Sequence, residues 1–354
     1  MWTFRPKKQR SKEKSRPGHN LTFFGPTISN METIFGIDRA RKRLFSYQKA
    51  RPRVVTLGVF DGVHLGHKKV IAQTVSRAKE MRGLSLAVTF EPHPEALIRG
   101  EKPSILTPLP QRLALLGSFG LDFCVVIDFD PKMAEKEPEA FIKEVLVGAI
   151  GAKAVVVGAT TTFGRGARGT PELLEKIGQE LGLKIHIVPS VTYKGKVISS
   201  TLIRKMLHKG DLKAVEEMQG RDFSLRAAVS KGKGLGRKLG FPTANLDLKD
   251  MARPPQGIYL SYVRINGSRK GSLRLPSLTY IGPRPAFIHP PPSAAAVCEV
   301  HILDFAGNIL SQEIEVIFLE KLRDAKEFKS PTELRRQISR DVKMARKLFA
   351  KFAD

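Results

Sequence analysis

Residues 57–70 read "LGVFDGVHLGHKKV". An apolar, β-rich run, "RVVTLGVF" from residue 53, leads in, and a run with helical spacing, "HKKVIAQTVSRAKEMRG", leads out to a stop at Gly83. Between them stand Gly58, Gly62 and Gly66, Phe60, Asp61, and two histidines three apart, His64 and His67. Glycines let a strand turn tightly into a helix and let backbone approach a ligand. The amides of a helix N-terminus, with the helix dipole, favour an anion. Two imidazoles at that corner can donate hydrogen bonds to phosphate oxygens. A metal site would need more ligands than Asp61 and the histidines supply. Taken alone, the stretch reads equally as a phosphate site or an ordinary turn.

Outward from this corner the chain alternates strand and helix. "LSLAVTF", "DFCVVIDF", "AKAVVVGA" and "KIHIVPSV" read as strands, while "QRLALLGSFG", "PEAFIKEVLVGAI", "TPELLEKIGQELG", "STLIRKMLHKG" and "LKAVEEMQG" read as helices. Thr170 is an expected N-cap, with Pro171 at the first helical position and Gly182 near the stop. The alternation predicts a doubly wound parallel sheet, whose ligands bind beyond the C-terminal ends of the strands. "ISSTLIR", residues 198–204, repeats the strand-to-helix arrangement. Ser199, Ser200 and Thr201 bring hydroxyls and amides, and Arg204 a fork for phosphate. In a parallel sheet the two corners share one edge.

After about residue 221 the rhythm becomes all-β. "FSLRAAVS", "GIYLSYVRING", "AAAVCEVHILDF" and "ILSQEIEVIFL" are strand-like, with turn signals at "NG" 266–267 and "GN" 307–308. This half predicts a mainly antiparallel sheet or small barrel. A last helix begins at the capping box Ser330–Glu333, with Pro331 in the first turn. Leu334, Ile338, Val342, Ala345 and Phe349 form its apolar stripe, which reads as a packing face.

The chain has 354 residues, favouring two domains, and no apolar run approaches membrane-spanning length. Two cysteines, Cys124 and Cys298, make no disulfide framework, so a reducing, cytoplasmic setting is expected. The formal charge is +26, a field that draws polyanions or phosphate-rich substrates. Residues 1–30 hold seven Lys or Arg against one Glu, with little apolar periodicity, and read as a dispensable basic disordered tail.

A second glycine-rich stretch, "KGKGLGRKLGFPTANL", spans residues 231–246. Gly232, Gly234, Gly236 and Gly240 with Lys231, Lys233, Arg237 and Lys238 suit nucleotide phosphates, though a basic hairpin reads the same way. Thr243 and Asn245 are two apart, so on an extended segment they share a face. One hydroxyl and one amide oxygen are suitable neutral ligands for Mg²⁺. Glu299 and His301 share a face of a later strand, and either fits the need of an attacking hydroxyl for a proton acceptor.

"HxGH" with a later "ISSTxIR" resembles the adenylyltransferase superfamily, and "GVFDGVHLGH" resembles the N-terminal half of the bacterial bifunctional riboflavin kinase/FMN adenylyltransferases, also called FAD synthetases. "TFEPHP" at 89–94 matches as well, and "PTAN", "PPQGIY" at 254–259 and "EVHILDF" at 299–305 resemble the riboflavin kinase half. The resemblance covers roughly residues 50–346. It implies residues 31–210 as a nucleotidyltransferase-like α/β domain, 211–221 as a linker with a short helix, and 222–354 as a kinase-like β-barrel with its C-terminal helix. It implies ATP and Mg²⁺, with riboflavin and FMN as substrates and FMN and FAD as products. His64 and His67 would stabilise the α-phosphate of ATP, Ser199, Ser200, Thr201 and Arg204 would hold pyrophosphate, and Glu299 would be the kinase carboxylate. Gly58, Phe60, Asp61, Gly62 and Gly66, and in the second half Gly232, Gly234, Gly236 and Arg237, would line the ATP sites. Phe90, Pro92, His93, Thr160 and Phe163 would contact flavin, and Thr243 and Asn245 the metal.

Two stretches depart from the family pattern. In "VVGATTTFGRGARG", Gly158, Phe163, Gly164 and Arg168 fit, but Thr160 and Thr161 stand where Asn or Asp and then Phe are expected. A hydroxyl cannot offer both ends of an amide. In "SLTYIGPRPAF", Tyr280 stands in place of Asn. The first departure keeps open a kinase whose adenylyltransferase half is lost or altered. A basic nucleic-acid-binding protein on the same scaffold is the alternative of another class. The aromatic content of 7% and the lack of basic-aromatic interleaving weigh against it.

Overall fold

The computed structural model describes residues 30–46, 51–98, 103–232, 234–248, 250–265, 274–283 and 297–352. The basic tail, apart from Asn30, the "NG" turn at 266–267 and Lys233 lie outside them.

Six parallel strands form the first sheet: β1 (Glu32–Phe35), β2 (Arg53–Leu57), β3 (Leu84–Glu91), β4 (Phe123–Asp128), β5 (Ala152–Gly158) and β6 (Lys184–Val188). Their order is β1-β4-β3-β2-β5-β6. Every residue of β2 is buried, as both faces of a central parallel strand must be, so the strand reads as a nearly unbroken apolar run. Helices cover both faces: α1 (Ile37–Ser46), a π-helix (Phe141–Ala149) and α7 (Pro171–Glu180) pack on one, α2 (Leu65–Glu80) and α4 (Leu109–Gly117) on the other. Short turns α3 (Pro94–Ile98), α5 (Pro131–Ala134) and α6 (Pro138–Ala140) connect them. Thr170 caps α7 by accepting from the Leu173 N–H, as expected. Strand order reverses between β2 and β5, and the crevice at such a switch point is where an open α/β sheet binds its ligand.

Beyond β6 come a two-strand hairpin, β7 (Thr192–Tyr193) with β8 (Lys196–Val197), and two helices, α8 (Ser200–His208) and α9 (Leu212–Gln219). A closed barrel follows, in the order β10-β13-β12-β11-β14-β9. Its strands are β9 (Ser224–Ser230), β10 (Ala244–Leu246), β11 (Gly257–Ile265), β12 (Leu275–Gly282), β13 (Val297–Ile302) and β14 (Glu313–Arg323), with the one-turn α10 (Leu235–Lys238) between β9 and β10. Burial alternates strictly along β13, placing Cys298, Val300 and Ile302 inside and Glu299 and His301 outside. The last helix, α11 (Pro331–Phe352), lays Leu334, Val342, Ala345 and Phe349 against the protein, and of these Val342, Ala345 and Phe349 cluster with Leu260 and Leu278 on the barrel's outer face. Ser330 Oγ accepts from the Glu333 N–H, while Glu333 reaches the Lys329 N–H, so the capping box is displaced by one residue at its return bond.

The halves are joined by packing. Leu106 and the apolar residues of α8 and α9 belong to the same buried cluster as the barrel interior. Gln111 donates to Ser224 Oγ at 2.8 Å, and Ile105 forms a bridge with Met251.

Candidate active sites

The corner after β2 is wound through the left-handed region at Phe60 (φ 55°), Gly62 (φ 78°) and Val63 (φ 36°). Gly62 is required twice: its φ is positive, and a Cβ there would lie 2.9 Å from Leu106 Cδ1. A β-branched residue such as Val63 at positive φ persists only where surroundings hold it. Arg112 donates to Val59 O (3.0 Å), Phe90 O (3.1 Å) and Glu91 Oε2 (2.9 Å), tying the ends of β2 and β3 together. Arg221 and Gln219 bind the carbonyls of Gly62 and Val63.

His64 is the N-cap of α2, its Nδ1 accepting from the His67 N–H at 3.4 Å. A neutral imidazole that accepts at Nδ1 carries its proton on Nε2, leaving that N–H as a donor. The two rings stack at 3.6 Å between centroids. Burial, reinforced by the Arg221 charge, pulls His64 down to about 4, and burial with the His64 and Arg221 charges holds His67 well below the usual imidazole range. Both are therefore neutral donors at pH 7. His67 Nδ1 is buried and has no hydrogen-bond partner, which suits a group awaiting a ligand or water.

Asp61 joins this corner to the second one. Its buried carboxylate accepts from Leu106 N (3.0 Å) and Thr107 N (2.9 Å) and pairs with Arg204 Nη1 at 2.8 Å, while its carbonyl accepts from Ser200 Oγ at 2.8 Å. Ser199 caps α8 through the Leu202 N–H, and Thr201 is exposed. The "HLGH" and "ISST" helix starts thus converge, although α8 follows the antiparallel β7–β8 hairpin and not a strand of the parallel sheet. Asp61, expected among the phosphate contacts, is instead the buried bracket between them. Arg204 pairs through Nη1 with Asp61, and its Nη2 lies 4.0 Å from the half-exposed carboxylate of Glu95.

The flavin expectations divide. Phe90 and Phe163 are 8% and 7% exposed and meet through Phe141, at centroid distances of 6.4 and 5.9 Å, inside the core. They are wall supports rather than contact surfaces, because aromatic side chains between a sheet and its helices are more stable dry. His93 is also buried, its Nδ1 accepting from the Glu95 N–H. Pro92 and Thr160 are exposed, after β3 and β5.

In the barrel, the glycine-rich loop, the Thr243–Asn245 segment and residues 305–310 line a cleft of about 800 Å³. Gly232, Gly234, Arg237, Thr243 and Asn245 all border it. A Cβ at Gly232 would lie 2.1 Å from Asn245 Nδ2, so the loop must be glycine to rest on that amide. Gly236 packs as closely, a Cβ there falling 2.4 Å from Phe241 O and 3.0 Å from Thr243 Oγ1. Asn245 pairs across the ladder with Glu299, and Glu299 with Tyr280, so the three form one outward row. Glu299 stands beside the cleft rather than in its wall. His301 is committed elsewhere: its Nδ1 contacts Pro242 O at 2.8 Å and its ring meets Phe241 edge-on, pinning the start of the same segment. Among the described residues no group of three His, Cys, Asp or Glu is able to hold a metal. The neutral oxygens of Thr243 and Asn245 suit Mg²⁺, an ion that takes much of its shell from water and phosphate.

Comparison with known proteins gives these two regions their relatives. The FAD synthetase family matches residues 46–202 and the riboflavin kinase family residues 219–349. The bifunctional riboflavin kinase/FMN adenylyltransferase of Escherichia coli K12 is 34% identical over 297 residues, covering 84% of this chain and 92% of its own. That of Bacillus subtilis is 31% identical over 302 residues, covering 84% and 92%. The chain belongs to the bifunctional riboflavin kinase/FMN adenylyltransferase family. A solved structure described as a macrolide-efflux protein from Streptococcus pneumoniae superposes with a TM-score of 0.73 at 26% identity, covering 89% of this chain and 99% of that one. Among the described residues no helix is long and apolar enough to cross a membrane.

Several residues that shape this corner escaped the sequence reading. Arg112, Gln219 and Arg221 act on backbone 53 to 159 residues away, and no local pattern marks such contacts. Only their position in or beside short helices next to motif segments offered a signal.

Proposed function

We propose that this chain phosphorylates riboflavin to FMN at the barrel and adenylylates FMN to FAD at the β2 corner, consuming one ATP in each step. The observation that carries the assignment is the convergence of two helix N-termini on Asp61, with two neutral imidazoles beside them. In adenylyl transfer an FMN phosphate oxygen bonds to the α-phosphorus of ATP as the bond to pyrophosphate breaks. No proton needs to leave, so the corner's work is orientation and charge stabilisation. His64 donates from Nε2 to an α-phosphate oxygen, with His67 stacked beside it. The amides and hydroxyls of Ser199, Ser200 and Thr201, with the outer edge of Arg204, receive the pyrophosphate. Pro92 and Thr160 border the space left for the acceptor.

In the kinase step the ribityl 5′-hydroxyl bonds to the γ-phosphorus, ADP leaves, and Glu299 accepts the hydroxyl proton. Asn245 lies directly across from Glu299, which brings phosphate and acceptor together. Gly232, Gly234, Gly236 and Arg237 cover the phosphates. Mg²⁺, held by Thr243 and Asn245, would neutralise the charge on the β- and γ-phosphates. The net charge of +26 suits substrates of which all but riboflavin are phosphate esters. We place the enzyme in the cytoplasm, in keeping with the buried, unpaired thiols of Cys124 and Cys298.

Incubation with riboflavin, ATP and Mg²⁺, followed by separation of flavins, tests the assignment. FMN should appear first and FAD after it. FMN accumulating with no FAD would overturn the adenylyltransferase half and point to the substituted Thr160–Thr161 segment.

A further inference from the structure

We propose that Arg221, which lies where the chain enters the barrel, is a positioning residue for adenylyl transfer, fixing the β2–α2 corner on which His64 and His67 act. This rests on the assignment of that corner to the adenylyl step.

Arg221 sits between α9 and β9, 157 residues after His64 in sequence. Its two terminal nitrogens separate onto consecutive carbonyls, Nη2 to Gly62 O at 2.6 Å and Nη1 to Val63 O at 2.8 Å. Gln219 Nε2 adds a third bond, to Gly62 O at 3.0 Å. From the other direction Lys68, on the first turn of α2, donates to Gly220 O at 3.2 Å. Gln219 and Arg221 therefore hold the two peptides just before the N-cap histidine, and Gly220 between them is tied to the first turn of α2.

These peptides need holding. Gly62 and Val63 are both at positive φ, and Val63 is β-branched. Release of its carbonyl would let Val63 relax toward ordinary φ and carry His64 with it. Because a peptide is planar and trans, the Val63 C=O bound to Arg221 directs the His64 N–H to the opposite side. A planar fork bonded to two successive oxygens fixes orientation in a way a point charge does not.

The cation is itself retained. Burial lowers Arg221 to about 10, and the carboxylates of Glu315 on β14 and of Asp61 oppose that shift. Glu315 accepts from Ser224 and Arg264, which fixes the position of the charge that favours the Arg221 cation. The same charge helps keep both imidazoles and Lys68 deprotonation-prone. Arg221 borders neither the barrel cleft nor the outward row at Glu299.

The test uses full-length Arg221→Ala and Arg221→Lys. For Arg221→Ala, kcat for FAD formation from supplied FMN should fall about 100-fold, the loss expected of a misplacement near 1 Å, with the KM for ATP little changed. Riboflavin phosphorylation in the same preparation should be unaffected. Arg221→Lys should recover part of the rate, since an ammonium can reach one carbonyl but not span two. The His64 ring, followed by NMR, should titrate above its value of about 4 in Arg221→Ala. A fall in both activities together with the melting temperature would reduce Arg221 to a general stabiliser and overturn the proposal. So would an unchanged kcat, or a raised KM at constant kcat, which would mean direct nucleotide contact. If the wild type makes no FAD, the assignment of the corner fails, whereas normal FAD formation by both the wild type and Arg221→Ala would remove the positioning role alone.

Discussion

The corner after β2 and the loop after β9 both offer glycine amides to a nucleotide, yet they are built in opposite ways. At the corner, Arg112, Gln219 and Arg221 bind the backbone carbonyls of Val59, Gly62 and Val63, and Ser200 and Asp61 close the side. Its shape is set before any ligand arrives. The loop after β9 instead rests on the side chains that would meet the phosphates, Gly232 against Asn245 and Gly236 against Thr243. There the site residues are also the loop's support. Added bulk at Gly62, which packs against Leu106 at positive φ, should therefore reach the fold, while a defect in the loop should reach one reaction only.

The largest expected effect is at the corner's chemistry. His64→Ala combined with His67→Ala should lower FAD formation by roughly 10²–10³, the range for removing a donor to developing charge, and spare FMN formation. Glu299→Gln should lower riboflavin phosphorylation by roughly 10²-fold and spare FAD formation from supplied FMN. Gly232→Ala places a methyl against the Asn245 amide, so it should slow the kinase about tenfold, the rate change that accompanies a 1.4 kcal/mol disturbance, without moving the melting temperature. Gly62→Ala should do the reverse of that selectivity: strain at positive φ and the clash with Leu106 should destabilise the whole protein by about 1–3 kcal/mol, read by urea unfolding, and slow adenylylation as well. If Gly62→Ala left stability unchanged while Gly232→Ala lowered it, the contrast between the two sites would be the wrong way round.

The smallest effect is a pH slope. His64 is depressed from 6.5 in the unfolded chain to about 4, so the unfolded state binds the extra proton first. Stability is full above the unfolded value and falls as pH drops through this window, by at most roughly 1.4 kcal/mol per pH unit from this group. Urea melts at pH 7 and pH 5 should show a shallower loss for His64→Asn than for the wild type.

What the sequence made legible follows the range of the interaction. Caps and stripes are local, so Thr170 and the apolar face of α11 were readable in advance. The alternation that predicts the parallel sheet, and the two-residue period that puts Glu299 outside the barrel, are also short-range. Elements at 32–46 were not resolved beforehand as β1 and α1, because four strand residues and a basic helix leave little periodic signal. The π-helix at 141–149 reads as any helix, since its apolar residues satisfy either period. Phe90 and Phe163 were expected at the flavin because they stand within motifs, whereas the fold uses them as core. Arg112 and Arg221 gave no sign beyond their place beside motif segments: an arginine that binds a distant backbone carbonyl looks in sequence like any other.

The central claim is that the two reactions use separate residues in one chain. The measurement that tests it most directly is the flavin product profile of two variants run in parallel with ATP and Mg²⁺. The His64→Ala/His67→Ala protein given riboflavin should accumulate FMN with little FAD, and Glu299→Gln given FMN should still make FAD while making little FMN from riboflavin. Loss of both products in either variant would contradict the division.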